Sequence, residues 1–371
     1  MNITCQRAEL QSAVLNLSRV VSAKSPIPAL EGILFKAADS AIFLCGYDLN
    51  LGITTEIPAA VREPGAVVFS GRLFGDIIRS LPDNEVTITV DDAFHAVIRS
   101  GESEFSITGT AASEYPDIPS VSGGTEFTIP QQTLKSMIRQ TLFAVSTSDS
   151  KPIHTGAKFD IKNGLLRVVT VDGCRLAMRS ETVACSETTD FVVPGRTLGE
   201  AVRLMEGEDG DVRIGVGRRH IVMNVGSYAV ISRLLEGEFL DFDKAIPKGA
   251  VYDIVVPTRR FIEAVERMSL VVSERLKSPV RCRLVADEIR FSCTTVIGKA
   301  TDRLAITPVK QIKEEIEMGF NYRYLLDAFR AAETDEVRVQ IVKTKAPVKI
   351  LPKEGNSFLF LVLPVMLKAD M

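Results

Sequence analysis

The 371-residue sequence has no tryptophan, only three histidines, and aromatic residues amounting to just 6%. It contains neither an RNA-recognition strand motif nor a zinc-finger spacing, and few aromatic rings are available to stack on bases. His95, His154 and His220 are too scattered along the chain for a metal site. These features do not indicate base-specific nucleic-acid recognition, and we expect no metal and no cofactor.

The sequence also lacks paired cysteines and long hydrophobic runs. Its six cysteines form no CxxC motif, so we expect reduced thiols. The longest apolar run, Phe358 to Leu367, is too short to span a membrane and contains Pro364. The first residues include Arg7 and Glu9 and do not resemble a signal peptide. We therefore expect a cytoplasmic protein without membrane association.

Motifs typical of enzymes are equally scarce. There is no GxxxxGK[ST] loop, no HExxH, no GxSxG and no kinase signature. One weak candidate is Cys174, whose thiol could pair with the His154 imidazole while Asp172 orients the ring. A lone cysteine after a turn is far more often a packing residue, so a thiol enzyme stays a minor alternative.

The sequence does contain a long-period internal repeat, carried by two independent motifs. The first motif is a turn, a basic residue, an apolar helix and an alternating strand, found at 69–90, 193–216 and 320–341. Taking Leu73, Leu198 and Leu325 as its anchors gives spacings of 125 and 127 residues. The second motif occurs at 5–37, 130–161 and 257–286, and its anchors Leu10, Leu134 and Phe261 are 124 and 127 residues apart. We therefore predict three similar domains, at 1–120, 121–249 and 250–371.

Within each copy the helix motif occurs twice, so each domain is predicted to consist of two half-units. Leu134, Met137, Ile138 and Leu142 share one helical face. Val86, Ile88 and Val90 alternate with threonines, as in a strand with one buried face. Helices alternating with antiparallel strands predict an α+β fold with two helices packed on antiparallel sheets in each domain.

The net charge of −3 gives no overall excess of basic residues, but the predicted helices are rich in them. Arginine recurs at the start of four helices, as Arg72, Arg196, Arg259 and Arg323. The simplest explanation is that these arginines lie on ordinary solvent-exposed helix faces. If the helices share a common axis, they instead form a basic lining that contacts phosphates without reading bases. The candidate residues of this phosphate-facing lining are Arg7, Arg19, Lys24, Arg72, Arg79, Lys135, Arg139, Arg196, Arg203, Arg259, Arg260, Arg267 and Arg323.

The segment VTVDGCRLAMRS at 169–180 resembles the TDG-x-RLA signature of the bacterial DNA polymerase III beta subunits, the sliding clamps. Further segments resemble this family in the same order along nearly the whole chain. They are SPIPALEGILFKA (25–37), YDLNLGITTEIPA (47–59), RLLEGEFLDFDKAIP (233–247), GFNYRYLLDAF (319–329) and FLFLVLPVML (358–367).

The resemblance implies the DNA clamp fold and a head-to-tail homodimer, a closed ring of six domains around double-stranded DNA. In such a ring the helices line the hole and the sheets form the outside. The implied function is that of a non-catalytic processivity factor that tethers the replicative polymerase. The implied dimer contacts are Phe105 and Ile107 on one side and Val271 and Val272 on the other.

The resemblance also implies a groove for linear peptides of the polymerase alpha subunit and the clamp loader. The groove residues are His154, Gly173, Cys174, Arg175, Leu176, Leu240, Lys244, Asn321, Tyr324, Val362, Leu363, Pro364, Val365 and Met366. We expect Leu176, Val362 and Leu363 to form its floor and Arg175, Asn321 and Met366 its rim.

The sequence departs from the family pattern at three groove positions. Cys174 replaces a frequent histidine, Leu240 a usual proline and Met366 a usual arginine. These departures leave open a variant clamp for an accessory polymerase or a mobile-element replicon. A DNA-binding regulator that grips one site is a further alternative.

Overall fold

The computed structural model describes residues 1–82, 84–121, 123–205, 210–272 and 278–367. It divides into two compact units. Unit 1 comprises Met1–Gln132 and Arg196–Leu234, and unit 2 comprises Thr133–Gly195 and Leu235–Met371. All the strand pairs described are antiparallel, and the predicted α+β class is confirmed.

The first third of the chain contributes two helices and ten strands among its described residues. They are β1 (Asn2–Gln6), α1 (Arg7–Leu17), β2 (Gly32–Ala38), β3 (Ala41–Tyr47), β4 (Leu51–Pro58), β5 (Ala60–Glu63), β6 (Gly65–Ser70), α2 (Gly71–Ser80), β7 (Glu85–Val90), β8 (His95–Ser100), β9 (Ser103–Thr108) and β10 (Thr110–Ala111).

The central third repeats this order. Its elements are β11 (Thr125–Pro130), α3 (Gln131–Leu142), β12 (Gly156–Lys162), β13 (Leu165–Val171), β14 (Arg175–Thr182), β15 (Thr189–Pro194), α4 (Gly195–Leu204), β16 (Asp211–Val216), β17 (His220–Val225), β18 (Tyr228–Arg233) and the short α5 (Phe242–Ala245).

The last third repeats it again. Its elements are β19 (Tyr252–Pro257), α6 (Thr258–Ser269), β20 (Val280–Val285), β21 (Glu288–Thr295), β22 (Gly298–Ala305), β23 (Thr307–Pro308), β24 (Ile316–Phe320), α7 (Tyr322–Ala332), β25 (Glu336–Ile341), β26 (Val348–Pro352) and β27 (Phe358–Val362). A strand, a helix and three strands therefore recur six times, which confirms two half-units in each third.

Sheet pairing explains why three repeats form two compact units. In unit 1, β4 pairs with β18 to give a nine-stranded sheet, β10-β6-β2-β3-β4-β18-β17-β16-β11. In unit 2, β14 pairs with β27 to give a second nine-stranded sheet, β15-β12-β13-β14-β27-β26-β25-β19-β23. The strands of the central repeat are thus shared between the units. Unit 1 also holds the five-stranded sheet β5-β1-β7-β8-β9, and unit 2 the four-stranded sheet β22-β21-β20-β24.

In the core of unit 1, the buried residue at one anchor position of the repeat is not the one predicted from the sequence. Phe74 is fully buried and packs against Phe35 and Phe69, with ring centroids 4.9 and 5.0 Å away. Leu73, the anchor predicted from the sequence, is 49% exposed. Phe74, not Leu73, corresponds to the buried Leu198 and Leu325, because all three are the fourth residue of their helix. The spacings of the first motif then become 124 and 127 residues, equal to those of the second.

Candidate functional site

Unit 2 contains a tight turn in the segment Asp172–Arg175, where β13 connects to β14. Asp172 Oδ1 accepts hydrogen bonds from the backbone N–H groups of Cys174 at 2.9 Å and Arg175 at 3.1 Å. Gly173 has φ +90°, a conformation that glycine adopts without steric cost, and a Cβ there would meet open space. The carboxylate therefore fixes a tight turn that leaves the Cys174 side chain exposed.

Arg175 anchors this turn to α7. Its Nε donates to Asp172 Oδ2 at 2.7 Å and its Nη1 to Asp327 Oδ2 at 2.5 Å. Its guanidinium lies 4.5 Å from the centroid of the Tyr324 ring and 5.6 Å from that of Phe143. Burial opposes the charge, but the two carboxylates outweigh burial and raise the pKa of Arg175. The predicted rim arginine is thus a buried structural cation.

The C-terminal segment lies directly beside this turn. The Leu363 N–H donates to the Cys174 carbonyl at 2.8 Å, and the Val365 N–H donates to the Gly319 carbonyl at 2.8 Å. A Cβ on Gly319 would lie 2.4 Å from the Leu367 side chain, so a larger residue there would force Leu367 to shift. Two residues further on, Asn321 caps α7 by accepting the Arg323 N–H at 3.0 Å. Cys174, Asn321, Tyr324 and the 362–366 segment are therefore brought together, with Pro364 inside that segment.

A second group of predicted groove residues lies in or near one apolar cluster of unit 2 in the chain. The cluster consists of Ile153, Val169, Val171, Leu176, Val192, Phe239, Phe242 and Leu361. The His154 ring meets the Phe239 ring edge-on at 5.5 Å, and burial followed by the nearby Lys151 charge lowers the pKa of His154. Leu240 follows Phe239 and is exposed, and Lys244 pairs with Asp241 at 2.7 Å.

Two of the three residues expected to form the groove floor are not accessible at the surface. Leu176 and Val362 are almost completely buried, so they support the surface from within the core. The exposed apolar side chains among the predicted groove residues are Leu240, Leu363, Val365 and Met366. On the α7 side, the Arg175 guanidinium stacks on the Tyr324 ring.

The basic residues of unit 1 carry several carboxylate partners. Arg196 pairs with Asp48, Arg79 with Asp76, and Arg203 with Glu200, while Arg19 lies 4.0 Å from Glu200. Arg7 is half-buried and donates to the Leu81 carbonyl at 2.5 Å, so it supports the fold. Lys24 and Arg72 are exposed, and neither forms a salt bridge within the described ranges.

Unit 2 likewise contains some basic residues that pair with carboxylates and some that make no salt bridge among the described residues. Arg259 pairs with Glu263 at 3.0 Å and Arg267 with Asp302 at 2.6 Å. Arg139 and Arg260 are exposed and make no salt bridge to any residue that the structure describes. Arg323 lies over Tyr322, and Lys135 is half-buried on α3. Arg72, Arg196, Arg259 and Arg323 are each the second residue of their helix, as the sequence indicated.

The predicted dimer residues lie at or beside sheet edges. Phe105 and Ile107 are half-buried on β9, the edge of the five-stranded sheet. Val271 and Val272 follow α6, and the Thr295 hydroxyl donates to the Val271 carbonyl at 2.7 Å. That bond ties Val271 to the turn that leads into β22, the edge of the four-stranded sheet.

The thiol-enzyme alternative finds no support in this geometry. Within the described residues, no hydrogen bond joins Cys174 to His154, and the Asp172 carboxylate is occupied by its own turn and by Arg175. The same residues contain no cluster of metal ligands and no helix long and apolar enough to cross a membrane. The sequence did not place Asp327 and Phe143 beside Arg175, because only the fold brings them to the turn.

Comparison with known proteins agrees with this arrangement. Residues 1–119, 128–241 and 243–366 match the N-terminal, central and C-terminal domains of the DNA polymerase III beta subunit. The beta sliding clamp of Bacillus subtilis is 30% identical over 98% of this chain and 99% of its own. A crystal structure of the Bacillus subtilis clamp superposes with a TM-score of 0.95, at 30% identity over 99% of this chain and 100% of that one. A DNA polymerase III beta subunit from Eubacterium rectale superposes with a TM-score of 0.93, at 32% identity over 98% of this chain and 99% of that one. The chain belongs to the DNA polymerase III beta subunit family, the bacterial sliding clamps.

Proposed function

We propose that this chain is a replication processivity factor that closes into a ring around duplex DNA and tethers a polymerase to it. Family membership supports the clamp role, which involves no catalysis by the clamp itself. The observation that carries the ring is that β9 and β22 are edge strands of their sheets among the described residues. The experiment is processive extension of a primed long template by the replicative polymerase and clamp loader, which should require this chain. Equal product lengths without it would refute the role.

Internal symmetry supports closure by a second copy. The strands β4, β14 and β22 are the last strands of the first half-units, and β18, β27 and β9 are those of the second half-units. β4 pairs with β18 and β14 pairs with β27, which leaves β22 and β9 as edges. Joining the five-stranded sheet of one copy to the four-stranded sheet of another gives nine strands, as in the two sheets within the chain. An unpaired edge exposes backbone donors and acceptors, which this pairing satisfies.

The register of that pairing follows from the junctions within the chain. Ile53 faces Val230 in one junction, and Ala177 faces Phe360 in the other. The equivalent positions place Phe105 of one copy opposite Ala300 of the other. Ile107 then faces Gly298, where a Cβ would lie 3.7 Å from Val271. This register places half-buried residues opposite half-buried ones and exposed residues opposite exposed ones.

The helical charges suit a sliding contact with DNA. A cation in the first turn of a helix is disfavoured by the helix dipole, so helix stability does not explain the four recurring arginines. Many of the other cations are already paired with carboxylates, so the net positive field is weak. A topologically closed ring needs only weak, salt-sensitive phosphate contacts, and strong ones would hinder sliding. Contacts of this kind carry no base specificity.

We place the partner-peptide groove on the exposed surface of Leu240, Leu363, Val365 and Met366. An apolar surface with a few polar neighbours suits an extended peptide with aliphatic or aromatic anchors. The peptides would come from the polymerase alpha subunit and the clamp loader, and the chain would act in the cytoplasm on replicating DNA. Met366 adapts its shape readily and carries no charge, which favours varied apolar anchors over acidic ones.

A further inference from the structure

One turn recurs at the same place in all three repeats. In the first repeat the Asn50 N–H donates to Asp48 Oδ1 at 3.0 Å, and in the second the Cys174 N–H donates to Asp172 Oδ1 at 2.9 Å. In the third the Ile297 N–H donates to the Thr295 hydroxyl at 3.2 Å. The segments 48–51, 172–175 and 295–298 are therefore equivalent, and they lead into β4, β14 and β22. β4 and β14 pair with the last strand of the next repeat, and β22 would do so in the proposed ring.

The first two turns contact a helix of the neighbouring repeat through charges. Asp48 pairs with Arg196, the second residue of α4. Arg175 pairs with Asp327 and stacks on Tyr324, the sixth and third residues of α7. The two junctions within the chain, β4 with β18 and β14 with β27, are therefore each accompanied by an ion pair at the turn.

The third turn carries no charge and is strongly apolar. Val296 is 85% exposed and Ile297 is 64% exposed, more than most large apolar side chains of the described chain. Their backbone is held in place because the Thr295 hydroxyl also donates to the Val271 carbonyl. The turn is thus an apolar projection, anchored through Thr295, whose two side chains are largely exposed.

The helix that corresponds to α4 and α7 is α2, and its matching position is also apolar and about half-exposed. Leu73 is the third residue of α2, as Tyr324 is of α7 and Thr197 of α4. Thr197 is 1% exposed and Tyr324 is half-buried, whereas Leu73 is 49% exposed. The Val296–Ile297 turn and Leu73 of α2 are therefore both apolar and both exposed in the single chain, so the two surfaces match in chemistry.

We infer that the Val296–Ile297 turn of one copy packs on Leu73 of a second copy, so the contact between protomers is apolar where the junctions within the chain are ionic. This inference rests on the proposed ring and specifies a contact beyond the paired strand edges. The occupant is a second copy of this chain, because β22 begins at Gly298, directly after the turn, and continues the same interface. An apolar contact is largely insensitive to salt, unlike an exposed ion pair.

The affinity test uses the double substitution Val296→Ser and Ile297→Ser, with Leu165→Ser as the matched control. Leu165 is exposed at the start of β13, away from the sheet edges. The dimer dissociation constant, measured by sedimentation equilibrium, should rise at least tenfold in the double variant and stay unchanged in the control. It should change less than threefold in the wild type between 50 and 500 mM salt. Circular dichroism checks that the variants are folded. An unchanged constant in the double variant would overturn the inference.

Cross-linking separates this inference from the proposed ring. In a Cys174→Ser background, Phe105→Cys with Ala300→Cys tests edge pairing, and Leu73→Cys with Ile297→Cys tests the apolar contact. Interprotomer disulfides from both pairs support the inference. A disulfide from the first pair alone would overturn the inference and leave the ring intact. No disulfide from either pair, in a protein that sediments as a monomer, would overturn both.

Discussion

Arg175 and Asp327, which are 152 positions apart in the sequence, form an ion pair of 2.5 Å that fastens the 172–175 turn to α7. The Arg175 side chain is only 12% exposed, and Tyr324 and Phe143 flank its guanidinium. The turn that supports the candidate groove therefore depends on a buried cation, and loosening that cation should affect both stability and partner binding.

Replacing Arg175 with methionine should destabilise the protein by about 2–4 kcal/mol, because the Asp327 and Asp172 carboxylates lose their partner in a largely buried site. Urea denaturation monitored by circular dichroism measures the change. Arg283→Met is the control, since its pair with Glu315 is exposed on both sides and should contribute less than about 1 kcal/mol. Similar losses in the two variants would show that burial of Arg175 has no special weight.

Phe74→Ala and Leu73→Ala should behave very differently although the residues are neighbours. Phe74 fills a core with Phe35 and Phe69, so its truncation should cost about 3–5 kcal/mol. Leu73 is half-exposed, and truncation should change the unfolding free energy of the monomer by less than about 1 kcal/mol. The same denaturation series, run at a protein concentration at which the chain is monomeric, measures both. A larger loss at Leu73 would restore it as the anchor of the repeat.

Asp253 should confer a stability that disappears in acid. Arg338 donates to its two oxygens at 2.7 and 2.5 Å, and these bonds hold the pKa of Asp253 below the ordinary value of 3.8. Because the folded pKa is the lower one, the contribution is complete above about pH 4 and is lost as the pH falls through the folded pKa. Asp253→Asn should therefore cost about 1–3 kcal/mol at pH 7 and progressively less below pH 4. A pH-independent difference would contradict this assignment.

The candidate groove should lose peptide affinity when Leu363 becomes aspartate. Leu363 is 37% exposed beside Cys174, and burial of one peptide side chain against such a surface contributes about 1.5–3 kcal/mol. Titration of a labelled Gln-x-x-Leu-Phe peptide should give micromolar binding to the wild type and at least tenfold weaker binding to the variant.

Leu165→Asp is the control for this titration, because Leu165 is similarly exposed and lies outside the candidate groove. Leu176 is unsuitable for the test, since an aspartate in its buried position would disrupt the core. Equal affinity of wild type and Leu363→Asp would place the peptide elsewhere.

The repeat made the fold predictable from sequence, because helix and strand periods recur with it and each half-unit buries its own apolar face. The sharing of central strands between neighbouring sheets was not predictable, since pairing of β4 with β18 depends on how edges meet. Leu73 and Phe74 could not be distinguished, as both are apolar and adjacent. Likewise, the sequence placed Arg196 on a helix face but not beside Asp48, whose carboxylate forms an ion pair with it.

Retention on circular DNA is the most direct test of the ring. The protein is loaded onto a nicked circular plasmid and separated from free protein by gel filtration, and half of the sample is then linearised with a restriction enzyme. A closed sliding ring stays with the circle and is lost from the linear molecule, because only topology holds it there. Equal retention on both forms would show binding at fixed sites and would contradict the account.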